Sequence, residues 1–371
     1  MRWARERSRL DSAALARRFP KLAEWERGSV QPTLKQLEAF ARATHAPVGY
    51  LFLGEPPVEQ VPIPDFRTFR DQRLAPPSPD LLDTLYLCQQ RQEWFRTFAQ
   101  SMHEPPLSFA GTLQVGNDVV PAAAAMRRTL TFDLEERRQA SSWTDALRQF
   151  INQADAIGVL VMVSGVVGSN NRRKLDPEEF RGFALADDFA PLVFINGADT
   201  KAAQMFTLAH ELAHIWLGAS ALSDVSLTAN VPAHHVELWC NQVAAELLVP
   251  MEVFSDEYQR NAEVTNEMNR LARRFKVSTL VILRRMQDAG GLNEDMFWPA
   301  YRAEVARLRA IPKSSGGDFY LTLASRVSKR FARALVASTL EGQTLYRDAF
   351  RLLGFSKLAT FHDLSHSLGV G

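Results

Sequence analysis

Only two cysteines, Cys88 and Cys240, occur among 371 residues. They are too few for a disulfide framework and too scattered for a Cys-x-x-Cys zinc site. A chain this poor in thiols suits a reducing cytosol. An excess of one charge is missing too: 43 Lys and Arg stand against 42 Asp and Glu, for a net charge of +1. That balance excludes a global polyanion-binding surface. No apolar run reaches the roughly 18–20 residues needed to span a bilayer, so no membrane partner is expected. The stretch from Arg2 to Arg18 is charged throughout, unlike the apolar centre of a secretory leader. A cytoplasmic location is therefore expected. No internal repeat is found. With 46% hydrophobic residues, the chain can bury more than one core.

What is present is concentrated in His210-Glu211-Leu212-Ala213-His214. Two histidines four apart on a helix share a face, because about 3.6 residues make a turn. Both imidazoles can then reach one Zn²⁺ at roughly 2.0–2.1 Å. Glu211 falls beside the metal, placed to take a proton from water and pass it to a leaving amine. The surroundings agree. Pro191 to Asn196 reads as a buried strand stopping at Asn196-Gly197. Asp199 or Thr200 can cap the helix that follows, and Gly218 ends it. Apolar residues on nearly all faces make that helix a buried one.

A second helix, expected from Val231-Pro232 to Val249-Pro250, should bring the third ligand. Glu237 and Asn241 share one of its faces. Glu246 lies nine residues beyond Glu237, half a circle away at about 100° per residue. One metal cannot be faced by both glutamates. Glu237 is therefore the expected third ligand, Asn241 orients a ligand from behind, and Glu246 holds backbone or a neighbouring helix. His234 is a rival ligand or a proton donor, and Cys240 reads as a small buried residue. A developing oxyanion needs a donor besides the metal. His234 and Tyr258 are the candidates, and the residues alone do not choose between them. The strand just before the metal helix would offer an open edge, where a substrate peptide could add and lie extended across the zinc.

The run from Gly197 to His214, with Glu237-Leu-Trp-Cys-Asn-Gln-Val-Ala-Ala-Glu-Leu-Leu-Val-Pro250, resembles the ImmA/IrrE family of zinc metallo-endopeptidases. It is most similar to longer members carrying an XRE-like helix-turn-helix segment. The resemblance is strongest across about residues 155–290. It implies an α+β, mostly helical, zincin-like fold, with the HExxH helix packed on a small sheet. It implies one Zn²⁺ on His210, His214 and Glu237, with Glu211 as general base. It further implies cleavage of a DNA-binding repressor or antitoxin as the protein substrate. Cys240 departs from the family's usual alanine before Asn241.

Five segments are expected. Residues 1–53 form a basic, XRE-like helical segment. In the XRE segments it resembles, a Leu-Ala pair and a Trp-Glu-x-Gly element bracket the turn and recognition helix; here only eight residues separate Ala16 from Trp25, Pro20 among them, roughly four fewer than that resemblance implies. The segment thus reads as a degenerate helix-turn-helix used for packing or docking. Arg2, Arg5, Arg7, Arg9, Arg17, Arg18 and Lys21 leave weak contact with DNA phosphates open. Residues 54–80 are a proline-rich linker, in which Asp65 to Arg70 is expected to dock on the next domain. Residues 81–265 are the metallopeptidase core. Residues 266–290 are helix-turn-helix-like helices completing the peptidase, with Ser278 as a cap. Residues 291–371 are a C-terminal helical region, where His362 and His366 lack a companion ligand.

The favoured reading is an endopeptidase that cleaves a repressor or antitoxin, regulating transcription, a stress response or a toxin–antitoxin or mobile-element locus. The alternative is a DNA-binding regulator, or a toxin–antitoxin component, whose metal site is dormant or structural.

Overall fold

The computed structural model describes residues 1–66, 76–223, 235–310 and 325–370. The chain divides into two compact units, Met1–Pro62 with Thr68–Tyr86, and Ile63–Arg67 with Leu87–Gly371.

The first unit begins with helices α1 (Arg2–Ser8), α2 (Ser12–Arg18), α3 (Leu22–Arg27) and α4 (Leu34–Thr44). Thr33 and Gln36 form a reciprocal capping box at the start of α4, satisfying N–H groups that the helix leaves unpaired. Leu15, Phe19, Leu22, Trp25 and Phe40 make its core. Pro20 falls between α2 and α3, and α3 has only six residues. Leu22 and Trp25 turn inward, so these short helices serve packing. Arg5 pairs with Glu26, Arg7 with Glu59, and Arg9 donates to the Pro76 carbonyl. Three of the basic residues for which phosphate contact was left open are thus engaged within the chain.

Helix α5 (Pro79–Ser101) belongs to the first unit as far as Tyr86 and to the second from Leu87. The second unit continues through α6 (Val119–Leu130), α7 (Leu134–Arg138) and α8 (Trp143–Ala156). Strands β1 (Leu160–Ser164), β2 (Val166–Val167), β3 (Asn170–Lys174), β4 (Gly182–Leu185) and β5 (Leu192–Asn196) come next. They lead to α9 (Lys201–Leu217), β6 (Ala221–Leu222), α10 (His235–Leu248) and α11 (Met251–Glu257). Then follow α12 (Val264–Phe275), α13 (Thr279–Asp288), α14 (Glu294–Ala310), α15 (Lys329–Leu340), α16 (Tyr346–Leu353) and α17 (Leu358–Leu368). The fold is α+β and mostly helical.

The main sheet has the order β1-β5-β4-β6, with β1 parallel to β5 and the other pairs antiparallel. Its side chains alternate between two buried faces. Val161, Ala184, Val193 and Ile195 join the core built around α9. By the period of two, Leu160, Met162, Phe183 and Phe194 point the other way. There Phe183 and Phe194 stack with ring centroids 5.0 Å apart, and α15 packs on β1. A strand buried on both faces must be apolar throughout, and β5 is buried at all five positions.

This order corrects one expectation. Strand β5, just before α9, lies between β1 and β4 and has no open edge. One of the two sheet edges belongs to β6, and Ser223, the residue after it, bonds Glu211. The chain's own Pro64–Phe66 pairs with β6, bridging Asp65 to Leu222 in parallel.

The helices α12 and α13 fold with Ser278 accepting from the Val281 N–H, as its position predicts. Residues Val281, Ile282, Leu283, Arg285 and Met286 of α13 are buried. A helix buried on that scale cannot lie in a DNA groove. Its basic neighbours are paired as well: Arg270 with Glu267, Arg274 with Glu257 and Glu135, and Arg284 with Asp288.

Candidate metal centre

Helix α9 starts where Thr200 accepts from the Ala203 N–H and ends at Gly218, whose φ of 66° is left-handed. Only a residue without Cβ takes that conformation readily. Between these ends the helix is buried from Gln204 to Trp216. One turn of helix brings His210 and His214 together, and their Nε2 atoms stand 3.2 Å apart. Helix α10 packs along α9 and brings in Glu237, the third residue of its described length. Glu237 Oε2 lies 3.3 Å from His210 Nε2, and Oε1 lies 3.0 Å from His214 Nε2. All three side chains are buried. This is the only such group of potential metal ligands among the described residues.

The spacing has a chemical meaning. Two donors each about 2.0–2.1 Å from one tetrahedral ion stand about 3.3–3.4 Å apart. The three separations here, 3.0–3.3 Å, lie at or a little under that value. Moreover, apart from these two rings, no group satisfies either Glu237 oxygen. Oxygens with no other partner, crowded against two imidazole nitrogens, are aimed with them at a common centre. A carboxylate buried in this way costs several kcal/mol unless charge compensates it. Two imidazole nitrogens and a carboxylate suit a borderline divalent ion such as zinc.

Without a metal the charges adjust to one another. Burial works against ionised Glu237, but the two histidines outweigh it and hold the carboxyl at about 2. Burial lowers His214, whereas for His210 the Glu237 carboxylate overcomes burial and raises the imidazole. Asn241, one turn along α10, hydrogen-bonds on the His210 side and favours its charged form.

Glu211 is fully buried, and desolvation pushes its carboxyl up to about 8. Two residues that sequence reasoning missed hold it. Ser223 donates its hydroxyl to Glu211 Oε2 at 3.1 Å. On the other side a Cβ at Gly182 would come within 3.1 Å of Oε1. The β4–β6 register explains this bracket. Phe183 faces Leu222 and Ala184 faces Ala221, so Gly182 and Ser223 are the next pair, on the α9 side of the sheet. A glycine opening a strand is a recognised sign of close approach, and it was legible in Arg181-Gly182-Phe183. Nothing local marks Ser223.

The remaining candidates separate. Glu246, on the opposite side of α10 from Glu237, pairs with the buried Arg285 at 2.8 Å and accepts from the Met251 N–H. It serves architecture, as its helical phase implied. Tyr258 packs on Phe254, and its hydroxyl lies against Gly291. His234 lies outside the described residues, as does the expected start of its helix at Val231-Pro232. Cys88 and Cys240 are buried free thiols. No helix among the described residues is long and apolar enough to cross a membrane.

Residues 154–287 match the Peptidase M78 family, whose model is described as the IrrE N-terminal-like domain. The match covers a little over a third of the chain and contains β1 through α13. It supports a metallopeptidase of the ImmA/IrrE type for that region. Residues 327–367, carrying α15 to α17, match a model described as a domain of unknown function. No curated protein matches the chain.

Proposed function

We propose that this chain is a zinc-dependent endopeptidase of the cytoplasm whose substrate is a DNA-binding repressor or antitoxin. The observation that carries the proposal is the convergence of His210, His214 and Glu237 on one point beside a buried, bracketed Glu211. In this reading His210, His214 and Glu237 hold one Zn²⁺, which supplies Lewis acidity and acidifies water. The buried wall of α9 excludes bulk solvent and strengthens every charge inside. Glu211 is the proton carrier; in this reading the charge of the bound metal offsets the desolvation that raises it and keeps it ionised. Ser223 occupies its Oε2, while Oε1 has no hydrogen-bond partner, which leaves Oε1 as the atom that takes the proton of the attacking water. The same oxygen then returns it to the leaving nitrogen. Asn241 keeps the His210 ring in place.

A repressor or antitoxin substrate rests on the family likeness and is tested directly. Helix-turn-helix proteins encoded next to this chain are incubated with the zinc-loaded protein, and fragments are read by mass spectrometry. Glu211→Gln keeps shape and zinc but removes the base. Cleavage by the parent and none by this variant is the expected result; equal cleavage by both would refute the assignment. The competing reading is a DNA-binding regulator with a dormant site. It predicts tight, sequence-dependent duplex binding. The internal pairing of Arg270, Arg274 and Arg284 speaks against that reading.

A further inference from the structure

The edge of the sheet beside Glu211 is covered by the chain itself. The Phe66 N–H donates to the Leu222 carbonyl and the Leu222 N–H donates to the Pro64 carbonyl, each at 2.9 Å. Among the described residues, Asp65 and Leu222 are the one bridged pair between the two segments. Successive residues of a strand point their N–H and C=O groups to opposite sides, so Pro64 and Phe66 are the residues facing β6. Proline has no N–H to give. Pro64 therefore accepts but cannot donate, and Pro62, two residues earlier, has no donor either. The sequence thus withholds two ladder donors on the N-terminal side of Asp65. By its register Phe66 runs alongside Ser223, whose hydroxyl holds Glu211.

An edge can be covered only to prevent aggregation. A cover built for that alone gains from a long ladder, whereas prolines on the pairing side shorten this one. We propose that Pro64–Phe66 is a resident strand on the substrate-docking edge of β6, and that an extended segment of the polypeptide substrate displaces it. This inference rests on the endopeptidase reading. An incoming strand with free N–H groups at the two proline positions makes a longer ladder than the resident and wins the exchange. Access to Glu211 is thereby tied to the linker.

The test uses the full chain carrying Glu211→Gln, so that nothing is consumed. Two labelled peptides are titrated by fluorescence anisotropy: Val-Pro-Ile-Pro-Asp-Phe-Arg, the sequence of residues 61–67, and Val-Thr-Ile-Thr-Asp-Phe-Arg. The chain is compared with and without Phe66→Pro, which removes the N–H bonded to Leu222. Both peptides should bind the Phe66→Pro chain about tenfold more tightly than the chain with Phe66, the change expected from one net hydrogen bond. The proline-free peptide, with two added donors, should bind up to about a hundredfold more tightly than its counterpart. Hydrogen exchange at the Leu222 amide should quicken in Phe66→Pro and slow again when peptide is added. Should Phe66→Pro not fold, Phe66→Gly, which keeps the N–H but loosens the strand, should show the same order with a smaller gap.

Equal binding with and without the substitution, no binding to either chain, or Leu222 exchange indifferent to both substitution and peptide would each overturn the proposal. Zinc content and cleavage are measured in parallel on chains retaining Glu211. Zinc-dependent cleavage without edge binding would remove the resident strand and leave the peptidase. Edge binding without zinc or cleavage would remove the peptidase, and with it the docking role, while leaving an exchangeable edge.

Discussion

Gly182→Ala is a sensitive probe of how the candidate site is built. The added Cβ would stand 2.5 Å from the Thr207 methyl, 2.8 Å from the Phe194 carbonyl oxygen and 3.1 Å from Glu211 Oε1. Real Cβ atoms do not approach below about 3.0 Å, so strand β4 must move from α9 or from β5. The Phe194 oxygen belongs to the neighbouring strand, and Thr207 is buried on α9; neither can swing aside. Overpacking of this kind costs about 1–3 kcal/mol, and two rigid clashes place the expected loss at the upper end. For a domain of this size each kcal/mol lowers Tm by roughly 2–4 °C, which gives a fall of about 5–10 °C. The assay is thermal unfolding of the metal-free and zinc-supplied proteins, with cleavage followed alongside. Thr207→Ser removes the clashing methyl and should recover about half of the loss, because the Phe194 carbonyl stays in place. An unchanged Tm in Gly182→Ala would refute the close approach and, with it, the account of how Glu211 is held.

Metal-free Glu211→Gln should be more stable than its parent at pH 8, and the margin should shrink toward pH 5. The folded carboxyl is raised to about 8 by burial, so its contribution is intact below the unfolded value near 4.5 and is lost as pH rises from there to 8. The lost stability reaches a few kcal/mol, and a margin independent of pH in thermal melts would sink the assignment. Chelation should lower Tm, and zinc at a hundred times its dissociation constant should restore about 2.7 kcal/mol. Glu237→Ala should abolish that response in calorimetry, whereas a full response in the variant would mean that Glu237 is not a ligand. Arg285→Met strands the buried Glu246 carboxylate and should cost about 3–5 kcal/mol in urea unfolding. Adding Glu246→Gln should return most of it, and no recovery would argue against the pair.

The parts of this protein legible in its sequence are those governed by a few neighbouring residues. The turn of an α-helix makes His210 and His214 neighbours wherever the helix sits. Thr200 and Gly218 mark its ends through backbone chemistry alone. The same 100° step separates Glu237 from Glu246, and the structure sends them to opposite sides of α10. Strand order is of another kind. Nothing local says that β5 would be enclosed by β1 and β4, or that β6 would form the edge and be covered by Pro64–Phe66. Pairing joins residues distant in the chain, and alternation reports which face is buried but not which neighbour is chosen. For that reason Ser223, and the role of Gly182, emerged only from the register of β4 on β6. Tyr258 has the chemistry of a proton donor, and the partners the fold gives it are Phe254 and the backbone at Gly291. Residue type and short-range period decided the chemistry available to this chain; long-range pairing of strands and helices decided which of those groups meet.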